Sequence, residues 1–256
     1  LSTHPNPENR VERTQARLAA LNRTLDNTVT DREEYLGHLR GMTYGEDPRQ
    51  GYFEGTRFYH PQLRFQLDFP EGWKTQNTPQ AVVGVSQQQD AIVQLGLAGQ
   101  TPPRQAAQQF LAQEGVRGGD ASTASVNGNP AASSYFQAQT QQGNIEGLVS
   151  FISYGGTTYG ILAYTGAGKL GSYDNAFRRA VNSFRELRDQ TALSVQPARV
   201  ELVKLSRETT LEQFNRQYPS TITVEELAII NEVEGPGSAL PAGRTVKRVV
   251  GGRSAG

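Results

Sequence analysis

The sequence contains no cysteine. That excludes a disulfide framework, a thiolate nucleophile and any zinc site built on sulfur. It leaves the compartment open, because a cysteine-free chain suits an extracytoplasmic setting as well as the cytosol. Neither charge is in excess: 25 basic and 25 acidic side chains cancel. Lysine is confined to Lys74, Lys169, Lys204 and Lys247, the arginines are scattered, and no block of like charge occurs. The basic stripe that phosphate binding needs is missing, so nucleic acid is not an expected partner. No apolar run approaches the length that spans a bilayer, so no transmembrane segment is expected in this chain. No signal peptide is read either, although a chain beginning at Leu1 leaves targeting undecided.

Histidine is scarce as well. His4, His38 and His60 are too far apart for a His-x-x-x-His pair, which removes the helical two-histidine zinc motif. His38 on a helix and His60 ahead of a proline at a strand end read as surface or capping residues. No Gly-x-Ser-x-Gly elbow marks a serine nucleophile, and "STASVNG" and "ASSYF" read as strand edges. Gly166-x-Gly168-Lys169 is followed by Leu170, not by the serine or threonine of a phosphate-binding loop. The single tryptophan, Trp73, follows a Pro-Glu-Gly turn and reads as a lid on the core, with stacking on a sugar or partner as the alternative. No complete catalytic constellation emerges, which favours a binding or accessory role.

What is present suffices for globular cores. Apolar residues make up 36% of 256, including 10 Tyr and 10 Phe, and the length allows two modest domains or one large one. The fold class expected is α+β. Residues 1–50 read as a helical hairpin: Asn6 caps, Pro7 takes the first helical position, and Val11, Leu18, Leu21 and Leu25 share one face. Thr30-x-x-Glu33 is a capping-box pattern opening a second helix with Tyr35, Leu36 and Leu39 inward. Such an apolar stripe needs a partner surface.

From residue 51 to 190 the period changes. "LRFQLDF" places Leu63, Phe65, Leu67 and Phe69 on one face of a strand, and "AVVGV", "AIVQLGLA", "AASSYFQAQ", "GLVSFISY" and "TYGILAYT" follow as further strands. A helix after Pro102-Pro103 presents Ala106, Ala107, Phe110 and Leu111; another, from about Tyr173, presents Phe177, Val181 and Phe184. Successive hairpins predict an antiparallel sheet with helices on one face. Residues 191–198 read as a linker. Residues 199–252 form a β-α-α-β unit: "RVELVKL", a short helix with Leu211 and Phe214, "TVEELAIIN", the loop "GPGSALPAG" and "RTVKRVV".

"THPNPENRVERTQARL" resembles the segment that follows the catalytic core of HtpX/BepA-like zinc metallopeptidases (gluzincins), where a Thr-His-Pro-x-x-x-x-Arg-(Ile/Val) run opens a helix. Thr3, His4, Pro5, Arg10 and Val11 carry the match. "GMTYGEDPRQGYFEGTRFYHPQLRFQLDFPEGW" is similar to the region after the peptidase domain in long bacterial members, leading into a PsbP-like α+β domain that "AVNSFREL" would close. The last unit resembles a divergent LysM module. Leu211, the run at 227–231 with its Leu-x-x-x-Asn, and Leu240-Pro-Ala-Gly243 occupy the LysM positions, while Glu208-Thr209-Thr210-Leu211 replaces the usual Gly-Asp-Thr-Leu.

The resemblance implies a non-catalytic C-terminal region of a bacterial zinc metalloendopeptidase, cut just after its zinc-binding domain. Zinc would belong to the full-length protein and none to this chain. His4 is the one candidate auxiliary metal ligand, and no catalytic residue is expected here. Implied partners are the protein's own N-terminal peptidase domain and peptidoglycan or envelope proteins, in a periplasmic or envelope-associated location. The alternative is a cell-wall binding module unconnected with catalysis, its groove formed by Thr209, Thr210, Leu211, Gly235, Pro236, Gly237 and Ser238. A third expectation is that the middle domain is a protein- or lipid-binding platform, for which an apolar cleft would be the sign.

Overall fold

The computed structural model describes residues 7–20 and 31–252. It opens with helices α1 (Pro7–Ala20) and α2 (Arg32–Leu39). Val11 and Leu18, the two described members of the α1 stripe, are 56% and 50% exposed, so nothing covers them among the described residues. Asn6, Leu21, Leu25, Thr30 and the connection that would make α1 and α2 a hairpin lie outside the described residues. The cap of α2 is Asp31, whose side chain accepts from the Glu34 N–H at 3.4 Å. Leu36 is buried, whereas Tyr35, expected inward, is 63% exposed. Neighbouring helical positions point about 100° apart, so one narrow contact surface covers one of them.

The middle region begins with a 3-10 turn, Pro48–Gln50. Strands β1 (Tyr52–Glu54), β2 (Arg57–His60) and β3 (Phe65–Asp68) follow, then β4 (Lys74–Asn77), β5 (Val82–Val85) and β6 (Ala91–Leu97). Helix α3 (Pro103–Leu111) precedes β7 (Val116–Gly118), β8 (Ser122–Val126) and the long strands β9 (Asn129–Thr140), β10 (Gly143–Tyr154) and β11 (Thr157–Gly166). Helix α4 (Leu170–Ser183), the short strand β12 (Arg185–Glu186) and helix α5 (Gln190–Leu193) complete it. All pairings are antiparallel. The larger sheet runs β4-β5-β6-β11-β10-β9-β7, with β8 also on β9; the smaller runs β1-β2-β3-β12.

The larger sheet is covered on both faces, not on one as its sequence suggested. Along β10, Leu148 and Ile152 join the cluster containing Phe177, Ala180 and Val181 of α4, with Phe58, Phe65 and Leu67 of the smaller sheet. The alternate residues Val149 and Phe151 pack with Ala106 and Ala107 of α3. Because side chains alternate across a strand, α3 and α4 lie on opposite faces. Apolar residues occur at both parities in "GLVSFISY", which is how a strand buried on both sides reads. Leu63 of the expected alternating strand lies before β3 and is largely exposed.

The predicted linker is partly folded. Asp189 caps α5 by accepting from Thr191 N–H at 2.8 Å, and Ala192 is buried beside Tyr59 and Leu187 on the outer face of the smaller sheet.

The C-terminal unit comprises β13 (Ala198–Lys204), β14 (Thr209–Thr210), α6 (Leu211–Gln217), α7 (Val224–Ile230), β15 (Ala239–Leu240) and β16 (Thr245–Gly251). β13 pairs with β16, and β14 with β15. Thr210 and Thr223 each form a capping box, with Gln213 and Glu226 respectively. Leu205, Leu211, Phe214, Leu227, Leu240 and Val246 fill the core. The N-terminal segment completes this unit. Gly41 N–H donates to Val200 O, Val200 N–H to Met42 O and Tyr44 N–H to Ala198 O, at 2.8–2.9 Å. Residues 41–44 thus extend the β13–β16 ladder, and Glu33 accepts from the Thr245 hydroxyl at 2.8 Å.

Candidate functional site

At the end of the β4–β5 hairpin, where the two sheets of the middle region part, a cleft of about 650 Å³ opens. Its floor is apolar: Phe65, Val82, Leu95 and Tyr159 lie there, with Phe65 and Tyr159 edge to face at 4.9 Å. Leu97 and Leu63, 69% and 41% exposed, stand at its rim. Gly51 is required by close approach: it has φ 113°, and a Cβ there would come within 2.3 Å of the Phe58 ring. Asn77 donates to Gly51 O at 3.0 Å, and Gln50 donates to Gln62 at 2.8 Å, so the polar rim is mostly neutral amide.

His60 forms one wall. Its Nδ1 accepts the Leu63 N–H at 3.2 Å, which assigns the ring hydrogen to Nε2. Burial pushes its pKa down to about 4, outweighing an interaction with its own main chain that acts the other way, so the imidazole is neutral at pH 7. It therefore behaves as part of the packing against Phe58 and Phe65, not as a surface histidine. Two carboxylates, Glu46 and Asp47, line the mouth, and no lysine or arginine does. Asp47 is held by Arg49 through contacts of 2.6–3.1 Å, and that hydrogen bonding keeps its pKa below the usual carboxylate range. Chemically, the cleft can bury an apolar group and exchange neutral hydrogen bonds at its edge; it has no charge with which to hold an anion.

The groove residues expected in the C-terminal unit are neighbours. β14 sets Thr209 opposite Leu240 and Thr210 opposite Ala239. Leu211 N–H donates to Ser238 O at 3.1 Å, Glu212 N–H to Pro236 O at 2.9 Å, and Gly235 N–H to the Ser238 hydroxyl at 3.1 Å. Gly237 belongs to the same loop. Yet Leu211 is fully buried in the core and offers a ligand no side-chain surface. The Thr210 hydroxyl is engaged by Gln213 N–H, and that of Thr209 by Gln213 Oε1. A shallow polar depression lies on this side, lined by Arg207, Glu208, Thr209, Gln213, Arg216 and Gln217, so it shares only Thr209 with the expected groove.

The other singled-out residues fall as follows. His4 lies outside the described residues. His38 is exposed on α2. Trp73 is partly buried edge-on to Tyr173 and Phe177, a position over the core. The Gly166–Lys169 loop gives the Gly168 N–H to Glu146, as Leu170 does, while Lys169 pairs with Asp90 at 2.9 Å. Asp90 also accepts from the Tyr173 and Ser86 hydroxyls, and these bonds, Tyr173 foremost, hold its pKa down to about 2. That cluster ties the β5–β6 turn to α4. Among the described residues, no group of three or more His, Asp or Glu side chains is arranged to hold a metal ion.

No sequence pattern marks the cleft. Its walls come from Gln50, His60, Asn77 and Leu97, which sit on separate elements and share no spacing. An apolar Leu97 just before the Ala98-Gly99 turn was the one available signal.

No family model and no curated protein matches the chain. Among solved structures, it is similar to cyanobacterial PsbP (CyanoP) from Synechocystis, at 12% identity and TM-score 0.42, covering 52% of this chain and 94% of that one. LpqN of Mycobacterium tuberculosis, described as involved in cell envelope biogenesis, matches at 14% identity and TM-score 0.36 over 48% of this chain and 83% of that one. A protein of Bacteroides thetaiotaomicron matches at 14% identity and TM-score 0.40, over 77% and 87%.

Proposed function

We propose that the chain is the non-catalytic C-terminal region of a bacterial zinc metalloendopeptidase, acting outside the cytoplasm to position substrate or envelope components for a catalytic domain that precedes it. The resemblance at Thr3, His4, Pro5, Arg10 and Val11 motivates the reading. The observation that carries it is the docking of residues 32–44 on the C-terminal unit. Through it, the stretch that follows the segment resembling a peptidase tail is hydrogen-bonded to β13 instead of being a loose tether. On this reading, α1 and α2 are the hairpin facing the peptidase domain, residues 51–190 are the PsbP-like domain and residues 199–252 the LysM-like domain. Asn231, at the LysM asparagine position, supports the last of these. It is buried and satisfied, donating to Leu227 O and Lys247 O and accepting from Lys247 N–H, and so pins α7 to β16.

Among the described residues no donor set fits a catalytic zinc site, which needs three protein ligands and an open position. His4 is a single imidazole, one ligand short of a pair. Two measurements test the reading. The reading frame upstream of Leu1 is expected to encode His-Glu-x-x-His and a downstream glutamate helix. The purified chain is expected to retain no stoichiometric zinc after dialysis and to cleave no polypeptide. A frame lacking the motif, or chelator-sensitive cleavage by the chain alone, overturns the assignment.

A second reading, peptidoglycan binding by the C-terminal unit, is favoured by the β14–β15 bridge that sets Thr209 and Thr210 against Leu240 and Ala239, with the loop before them bonded to the start of α6. It predicts retention of the chain on isolated cell-wall sacculi. No retention removes it.

A further inference from the structure

The cleft of the middle region has a feature that neither reading uses. Along β6, odd-numbered residues hydrogen-bond toward β5 and even-numbered ones toward β11. The two ends establish this parity: Ser86 N–H donates to Ala91 O on the β5 side, and Ala98 N–H donates to Thr158 O on the β11 side. β5 stops at Val82, opposite Leu95. Leu97 therefore directs its N–H and C=O to the side where the ladder has run out, and neither has a hydrogen-bonding partner among the described residues. Leu97 lines the cleft beside the floor residues Leu95 and Tyr159 and across from the 78–81 turn that joins β4 to β5. Strand edges of this kind pair with extended main chain, and adjoining pockets then select the side chains.

The charge around the cleft narrows the occupant. Asp47 is neutralised by Arg49, while Glu46 has no ion pair or hydrogen bond among the described residues. With no cationic side chain in the lining, phosphorylated, carboxylated or anionic lipid ligands meet nothing to hold them. The volume, about 650 Å³, is within the range of small-ligand pockets and suits one bulky side chain with its flanking backbone.

We propose that this cleft binds a short extended peptide segment of another protein, which seats a bulky apolar side chain over Tyr159 and Phe65, pairs its main chain with Leu97, and sets a lysine or arginine opposite Glu46. The proposal stands on the cleft alone and is independent of the peptidase assignment. Its failure leaves the upstream reading-frame test unaffected.

The test uses the whole chain and a fluorescently labelled heptapeptide, blocked at both ends, with a central phenylalanine flanked by lysines. Saturable binding is expected below about 1 mM. It should weaken at least ~10-fold when the peptide lysines become glutamates, when the backbone beside the phenylalanine is N-methylated, and in the Leu97→Arg and Glu46→Lys variants. Both substitutions are at exposed positions, and circular dichroism checks that they fold. In amide NMR of the wild-type chain, the Leu97 resonance should move with peptide concentration. Absence of saturable binding, equal affinity for the glutamate peptide and for both variants, or shifts centred on residues 207–217 would each overturn the proposal.

Discussion

In the middle region, three strands of 10–12 residues form the centre of a sheet that is buried on both faces, one under α4 and the smaller sheet, the other under α3. In the C-terminal unit the ladders are β13–β16, seven residues each, and β14–β15, two residues each, over a single small core. The difference lies in what each must borrow. A long two-faced sheet stacks aromatics deeply enough to hold itself: Phe184 lies within 5.8 Å of the Phe65, Tyr154 and Tyr159 rings. A unit of about fifty residues buries too little for that. It relies on two capping boxes, a saturated buried Asn231, and residues 32–44 brought from elsewhere in the chain.

Four experiments would break or sharpen that contrast, each read as chemical unfolding monitored in both regions. The largest effect is expected from Phe184→Ala, which should cost about 3–5 kcal/mol in the middle-region transition alone; equal loss in both transitions would show that the regions unfold as one. Leu36→Ala comes next, at about 2–5 kcal/mol. Leu36 is buried where α2 meets β13, so the loss should appear in the C-terminal transition, and no change there would deny that α2 belongs to that unit.

A third effect is pH dependence. His60 titrates at about 4 in the fold against 6.5 for the free side chain. The unfolded state therefore binds more protons between those values, and middle-region stability rises with pH across that window. It is fully present above pH 6.5 and lost as pH falls through 4, by at most about 3 kcal/mol, with His60→Phe expected to flatten the slope. The smallest effect is expected from Thr223→Ala, which removes the α7 cap and should cost about 1 kcal/mol in the C-terminal unit. An unchanged midpoint would mean that Asn231 alone holds the helix.

Much of the fold was legible because periodicity reports local structure directly. The strands at 82–85, 91–97, 129–140, 143–154 and 157–166, the helices α3, α4, α6 and α7 and the two closing strands all correspond to runs readable by spacing. The short strands β1, β2, β4 and β7, with three or four residues each, carry no periodic signal. Neither did the small helix α5 within the expected linker. Of the residues expected to form a groove, Thr209 and Thr210 pair with Leu240 and Ala239, and the 235–238 loop is bonded to the start of α6. But Leu211 was spent on the core. The cleft was not legible, since an unpaired main-chain edge leaves no mark on the side-chain pattern.

Composition and spacing by themselves determined the alternation of strand and helix, the lack of sulfur chemistry and the balance of charge. These depend only on which residues are present and on the 2.0- and 3.6-residue repeats of the backbone. Tertiary structure alone decided which faces of the sheet are covered, which strand residues 41–44 extend, and that β5 ends one bonded pair short of Leu97. Each of these is a relation between distant segments, set by where packed surfaces meet.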